Sequence, residues 1–272
     1  MNIRDTAYMK IHILNGKGAA EALASAERKD QYNKKCHESM SNYIARSNTT
    51  YTPAQLNELD MKSYTLLFKE YMTHLPARLL REIESVNITI LMPSADTGFP
   101  HTRPDNMICF PQSATLPSLQ TFNHEFWHLH QRAHPEFWNT LYTQYWDFTP
   151  YDISQIPDHL RLQIRLNPDT IQSSLYCWKD EWVPLPIFQS PAQQKLGDCS
   201  VWFWNARTRL WKTSMPVTWA EHFHSPIIPS SAHEHPNELS AYMLSQIPED
   251  TRGPPGFLKL ARAVGATAFS NS

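Results

Sequence analysis

The chain contains 272 residues, with 24 basic and 26 acidic side chains and a sequence pI near 6.7. This near balance of charge predicts no nucleic-acid partner and no anionic membrane partner, and no apolar stretch approaches the length of a membrane span. The four cysteines form no Cys-x-x-Cys pair, and the N-terminal residues lack the apolar run of a signal peptide. We therefore expect an intracellular protein without a dense disulfide framework or a cysteine-based zinc knuckle.

Residues 1–50 are polar and mixed in character. One helix is predicted within them, over Gly18–Lys35, where good helix formers occur without a clear apolar face. We interpret residues 1–50 as an N-terminal arm and residues 51–272 as a single domain.

Helix signals follow directly after this arm. Thr52 and Pro53 have the pattern of an N-cap followed by proline at the first helical position, which predicts a helix extending to His74. A second helix is predicted over Pro76–Ser85.

Two short runs then have the composition of β-strands. Residues 87–92 (Asn-Ile-Thr-Ile-Leu-Met) are rich in β-branched side chains, and residues 106–111 form a second apolar run that ends in proline. His101 and Arg103 lie between them. The sequence favours solvated loop positions for these two residues, with a place facing a cleft as the alternative.

A His-Glu-x-x-His pentad follows the second strand, with His124, Glu125 and His128 as its polar members. In a helix the two histidines lie one turn apart on the same face, so both imidazoles can bind one metal ion while Glu125 projects beside them. This is the arrangement that holds Zn²⁺ and places a carboxylate near the water that the metal activates. An apolar stripe predicts a half-buried helix, with Thr121, His124, His128 and Gln131 on another face. The stripe consists of Leu119, Phe122, Phe126 and Leu129.

The pentad resembles the active-site helix of zincin metallopeptidases. The uncharged residues around the ligands fit this family, whereas His130 departs from it because an apolar residue is more usual there. The resemblance implies that His124 and His128 are zinc ligands and that Glu125 is the general base. It also implies that residues 106–110 form an edge strand that pairs with an extended peptide substrate.

The chain changes character after Pro135, which is expected to end the pentad helix or to start the next. A helix is predicted over Phe137–Phe148, and residues 135–235 are interpreted as a β-rich insertion. Within this insertion, Ser200–Phe203 and Leu210–Thr213 are predicted to form a β-hairpin. Its many tryptophans indicate core packing for most of them, with a binding groove for peptide or sugar as the alternative.

A catalytic zinc takes a third protein ligand, and the sequence offers several. Pro236 fits the first position of a helix that carries Glu238 and, one turn later, Tyr242. The Asn-Glu-x-x-Ala run in this helix is similar to the segment that supplies the glutamate ligand in gluzincins. The resemblance implies that Glu238 is the third ligand and that a tyrosine or histidine donates to the oxyanion. The candidates for this donor are Tyr242, His235 and His233, and a buried structural role is the alternative for Tyr242. The alternatives for the third ligand are His233, His235, Glu221, His222 and His224.

These features predict an α+β fold of zincin type, with a small mixed sheet beside the active-site helix and a C-terminal helical part. The expected function is hydrolysis of peptide bonds in a peptide or protein substrate by a zinc-activated water. Two alternatives remain open. The first is a binding or structural protein with a non-catalytic metal site, and the second is a zinc hydrolase that acts on a non-peptide amide.

Overall fold

The computed structural model describes residues 9–189, 195–247 and 253–265. The α-helices are α1 (Gly16–Asp30), α2 (Tyr32–Glu38), α3 (Met40–Arg46), α4 (Glu58–Met72), α5 (Ala77–Glu82), α6 (Leu119–Ala133), α7 (Pro135–Tyr145), α8 (Asp158–Arg161), α9 (Val217–Phe223), α10 (Pro236–Gln246) and α11 (Pro255–Gly265). The strands are β1 (Lys10–Leu14), β2 (Ser85–Leu91), β3 (His101–Arg103), β4 (Met107–Pro111), β5 (Phe148–Tyr151), β6 (Leu175–Trp178), β7 (Trp182–Phe188), β8 (Cys199–Asn205) and β9 (Leu210–Lys212). These elements make the fold α+β, as the sequence predicts.

The chain divides into two compact units. The first comprises Met1–Asp30 and Thr50–Ala133, and the second comprises Gln31–Thr49 and His134–Ser272. The segment interpreted as an N-terminal arm contributes β1 and α1 to the first unit and α2 and α3 to the second. The division into an arm of residues 1–50 and a catalytic domain of residues 51–272 stays a prediction.

The first unit contains a four-stranded mixed sheet in the order β1-β2-β4-β3. β2 pairs in parallel with both β1 and β4, while β3 is antiparallel to β4. The apolar run of β2 explains its central place, because Ile88 and Ile90 are almost completely buried. Both strands predicted before the pentad helix are confirmed within a residue or two.

The order of strands corrects one expectation. β4 was expected to be an edge strand, but β3 pairs with it from His101 opposite Cys109 to Arg103 opposite Met107. Residues 101–103 form a strand, so the interpretation of His101 and Arg103 as solvated loop positions was also wrong. Arg103 is fully buried, and its guanidinium donates to the Asp30 carboxylate over 2.7 Å and to the Tyr51 hydroxyl over 2.8 Å. Such a buried charge is stable because these partners compensate it.

The helix predicted from Pro53 begins later than expected. Pro53 forms an antiparallel bridge with Leu91, and α4 begins at Glu58 behind a capping box between Asn57 and Asp60. The Asn57 side chain accepts from the Asp60 N–H over 2.9 Å. This reciprocal cap satisfies two backbone donors at the start of α4.

Aromatic packing fixes α6 within the first unit. Phe122 of α6 stacks on Phe68 of α4 with ring centroids 5.2 Å apart, and Phe68 also stacks on Phe110 of β4 at 5.3 Å. All three rings are buried. The apolar stripe of α6 therefore faces the core, which sets the direction of its polar residues.

The second unit contains a five-stranded antiparallel sheet in the order β5-β6-β7-β8-β9. The predicted hairpin is confirmed as β8 and β9, which pair from Phe203 opposite Lys212 to Asn205 opposite Leu210. Phe148 belongs to β5, whereas the sequence placed it in a helix. Asp147 explains this difference, because its φ of 62° lies in the left-handed region and interrupts the helical path. Most of the tryptophans predicted to pack in the core do so: Trp178, Trp182, Trp204 and Trp219 are buried.

Candidate metal centre

The pentad lies on α6, as predicted. The Ser118 hydroxyl accepts from the Thr121 N–H over 3.1 Å at the start of this helix, and Pro135 occupies the first position of α7. Every residue from His124 to Gln131 is buried. A continuous buried run that contains several polar side chains requires specific partners for those side chains.

His124 and His128 are brought together by the helical spacing. Their Nε2 atoms lie 3.0 Å apart, with ring centroids 4.6 Å apart and ring planes inclined at 85°. His124 is 9% exposed and His128 is 1% exposed. Two imidazole nitrogens that converge in this way are suited to a shared metal ion.

Gln131 sets the tautomer of His128. The Nδ1 atom of His128 lies 2.7 Å from Oε1 of Gln131, one turn further along α6. We assign the proton to Nδ1, because an amide oxygen is only an acceptor. The Nε2 atom of His128 then presents its lone pair to the ligand position, as required of a metal-binding histidine.

Glu125 is 3% exposed and follows His124 directly on α6. Its carboxylate is a proton acceptor in a protected environment, beside two histidines that carry the candidate ligand atoms. This placement is suitable for a general base.

His130, the residue that departs from the zincin pattern, has a structural partner. It is fully buried, and its Nε2 atom lies 2.6 Å from Oε2 of Glu82, which also pairs with Arg78. Burial by itself would raise the pKa of Glu82, but the hydrogen bond with His130 and the charge of Arg78 lower it below its usual value. The departure at His130 thus attaches α6 to α5.

Glu238 and Tyr242 lie on α10 in the second unit. Pro236 occupies the first helical position, as predicted, and His235 is the N-cap residue. Glu238 is 7% exposed in the first turn, where the helix dipole favours a carboxylate. Tyr242 follows one turn later and is half-buried.

A buried amide holds the Glu238 carboxylate. Nδ2 of Asn167 donates to Oε1 of Glu238 over 2.7 Å and to Oε1 of Glu234 over 2.8 Å. Arg165 donates to the same oxygen of Glu234 over 2.7 Å. Burial raises the pKa of Glu234, Arg165 opposes this increase, and the neighbouring charge of Glu238 adds to it. Two buried carboxylates, one buried amide and one partly exposed guanidinium thus form a polar group.

Two of the histidines that compete with Glu238 for the third-ligand role, His233 and His235, have other partners in the second unit. Nδ1 of His233 accepts from Nε1 of Trp219 over 3.0 Å, and Nδ1 of His235 accepts from the Asn237 N–H over 3.0 Å. Both donors can only donate, so each neutral imidazole carries its proton on Nε2. The Nε2–H group of His235 donates a hydrogen bond to the Ser174 carbonyl oxygen over 3.0 Å.

β3 forms one of the two edges of the first sheet, the other being β1, and Arg132 protects the β3 edge. Arg132 donates to the Thr102 hydroxyl over 2.8 Å and to the Thr102 carbonyl oxygen over 3.1 Å. A carbonyl oxygen that already accepts a hydrogen bond from a guanidinium is a poor acceptor for a backbone N–H of a substrate. A separate cleft of about 570 Å³ is lined by the last residue of β4 and by residues that follow β2 and β4: Pro93, Gly98, Pro111, Gln112, Ser113 and Ala114.

The sequence identified His124, Glu125 and His128, and the structure brings the two histidine Nε2 atoms together on a buried helix. The union of Glu238 and Tyr242 with them in one site stays a prediction. Sequence reasoning missed the contact of Gln131 with His128, although the spacing of one helical turn is a usable signal. It also missed Asn167, for which no local signal exists. Comparison of the chain with protein families, with curated proteins and with solved structures gives no match.

Proposed function

We propose that this chain is a zinc-dependent metallopeptidase of zincin type, in which His124, His128 and Glu238 hold the metal. The observation that carries the proposal is the convergence of the His124 and His128 Nε2 atoms, 3.0 Å apart, on a buried helix beside Glu125. Two imidazoles and one carboxylate are a ligand set that zinc enzymes use.

The donor chemistry fits a metal ion in two further respects. Gln131 fixes the His128 proton on Nδ1 and so leaves the Nε2 lone pair for a cation. The lone pairs at Nδ1 of His233 and His235 already accept hydrogen bonds, so Glu238 is the better candidate for the third ligand.

The chemistry divides between the metal and the protein. When bound, zinc would supply an acidified water and polarise the scissile carbonyl. Glu125 would accept the proton of that water on its carboxylate and pass it to the leaving amine. Tyr242 would donate a hydrogen bond to the oxyanion, as the family resemblance implies.

The protected edge at Thr102 favours a second candidate function. An extended peptide that adds a strand beside β3 would compete with Arg132 for the Thr102 carbonyl. A zinc hydrolase of a non-peptide amide uses the same three metal ligands and needs no such strand. The presence of Glu125, the proposed general base, disfavours a binding protein with a non-catalytic metal site.

The test begins with elemental analysis of the purified protein. We expect about one zinc per chain in the wild type and large losses in His124→Ala and His128→Ala, because a catalytic site has only three protein ligands. His37→Ala is the matched control, since His37 is exposed in the second unit. Retention of zinc in both ligand variants would exclude this site.

Activity is then measured on a diverse peptide library and on a panel of non-peptide amides. Hydrolysis that chelators abolish and added zinc restores supports an enzyme, and the class of substrate cleaved decides between the two candidates. If the zinc-loaded protein cleaves neither class, the catalytic proposal fails.

A further inference from the structure

Asn167 lies in the connection between α8 and β6 and is 8% exposed. Its Oδ1 atom accepts from the Asp169 N–H over 3.0 Å, which forms a local side-chain turn. Because a backbone N–H can only donate, this contact identifies Oδ1 and fixes the amide plane. The NH₂ group must then face the two glutamates.

The NH₂ group has two protons, and each has a carboxylate partner. One hydrogen bond goes to Glu234, whose charge Arg165 compensates, and the other goes to Oε1 of Glu238. A carboxylate with one oxygen held in this way has lost most of its rotational freedom about the last side-chain bond. Its second oxygen therefore has a defined direction.

We infer that Asn167 is a positioning residue that orients the Glu238 carboxylate for metal binding. This inference rests on the proposed function, because it assigns Glu238 to the metal. The loop turn at Asp169 and the ion pair of Glu234 with Arg165 hold the amide in place from two other directions. Asn167 thus connects the loop before β6 to the first turn of α10.

The variants separate the turn from the amide donors. Asn167→Ser keeps a side-chain oxygen that can accept from the Asp169 N–H but lacks the NH₂ group that reaches Glu238. Asn167→Ala removes both contacts. The matched control is Asn205→Ser, because Asn205 is also buried, also accepts from backbone N–H groups and also donates to a glutamate, Glu181, over 3.1 Å.

The measurement is the zinc dissociation constant, obtained by competition with a chromophoric chelator on the full chain, with circular dichroism as the check of folding. We expect Asn167→Ser and Asn167→Ala to weaken zinc binding about 10- to 100-fold, as for other residues that support a metal ligand, and Asn205→Ser to leave it unchanged. The visible spectrum of the Co²⁺-loaded protein should change in the Asn167 variants and not in the control, since it reports ligand geometry.

A double-mutant cycle tests whether Asn167 acts through Glu238. In the Glu238→Gln background the Asn167→Ser substitution should cost less than about twofold in zinc affinity, because the group it orients is no longer a carboxylate ligand. Equal losses in both backgrounds would overturn the inference, as would wild-type affinity in Asn167→Ser. A wild type that binds no zinc would instead overturn the proposed function, whereas zinc binding that is insensitive to Asn167 overturns the positioning role alone.

Discussion

The two units each contain a buried polar group, but the groups are assembled in different ways. In the first unit, His124, Glu125, His128 and Gln131 come from one helix, and their contacts join residues three or four positions apart. In the second unit, Asn167 contacts Glu234 and Glu238, which lie 67 and 71 positions further along the chain. The first arrangement follows from the geometry of one helix, whereas the second exists only after the chain has folded.

This difference predicts which changes each group responds to. A pair set by helical spacing survives as long as the helix does, so its chemistry is best changed by altering single side chains. A group assembled from distant segments depends on burial and on mutual compensation of charge, so it should respond to pH and to the loss of any one partner.

The largest expected effect concerns the first unit. Glu125→Gln removes the proton acceptor but keeps the shape of the side chain, so hydrolysis should fall by about 10² to 10⁴ while zinc content stays unchanged. The measurement is the steady-state rate on the best substrate from the library, beside elemental analysis of the same sample. Wild-type activity in Glu125→Gln would remove Glu125 from the mechanism.

The next effect concerns the acid stability of the second unit. Burial, followed by the charge of His224, lowers the pKa of His233 from 6.5 to about 4. As the pH falls, the unfolded chain therefore binds a proton at His233 before the folded chain does. The contribution of His233 to the free energy of unfolding is fully present above about pH 6.5 and is lost as the pH falls through about 4. The pKa difference corresponds to a loss of roughly 3 kcal/mol at pH values below about 4.

His233→Gln should remove this contribution, because Gln keeps an acceptor for Trp219 but does not titrate. Urea unfolding of wild type and variant at several values between pH 7 and pH 4 gives the free energy of unfolding as a function of pH. The slope of this plot should be smaller for the variant. His37→Gln, at an exposed position, is the control for a general effect of one histidine fewer. Parallel curves for wild type and His233→Gln would show that His233 does not contribute to acid sensitivity.

The smallest expected effect tests the local pair in the first unit. Gln131→Leu removes the acceptor for His128 Nδ1 at similar volume, so the tautomer of His128 is no longer fixed. Zinc affinity should fall about 10- to 100-fold with the helix intact. Gln120→Leu, at an exposed position of the same helix, provides the control, and equal affinities for the two variants would contradict the role of Gln131.

Prediction from the sequence was most accurate where a single element carried the signal. The pentad helix, the position of Pro236 and the β8–β9 hairpin followed from local spacing and turn residues. It was wrong where pairing partners decided the outcome. The resemblance to zincins places β4 at an edge of the sheet, but the three residues of β3 occupy that edge.

His101 and Arg103 give the same lesson. Polar residues between two strands usually lie in solvent. No sequence pattern near Arg103 predicts that the carboxylate of Asp30 and the hydroxyl of Tyr51 are its partners. A buried arginine is tolerated only because those distant partners are present, and their presence is a property of the folded chain.

The sequence by itself determined the α+β class, the helix that carries His124, Glu125 and His128, and the convergence of the two histidines, because a helical turn brings residues four apart together. The tertiary structure decided that β3 and not β4 lies at one edge of the first sheet, how Arg132 covers that edge, and which amide holds Glu238. These features depend on contacts between residues far apart in the chain, and such contacts are selected by burial and hydrogen bonding in the folded state, which local sequence patterns do not encode.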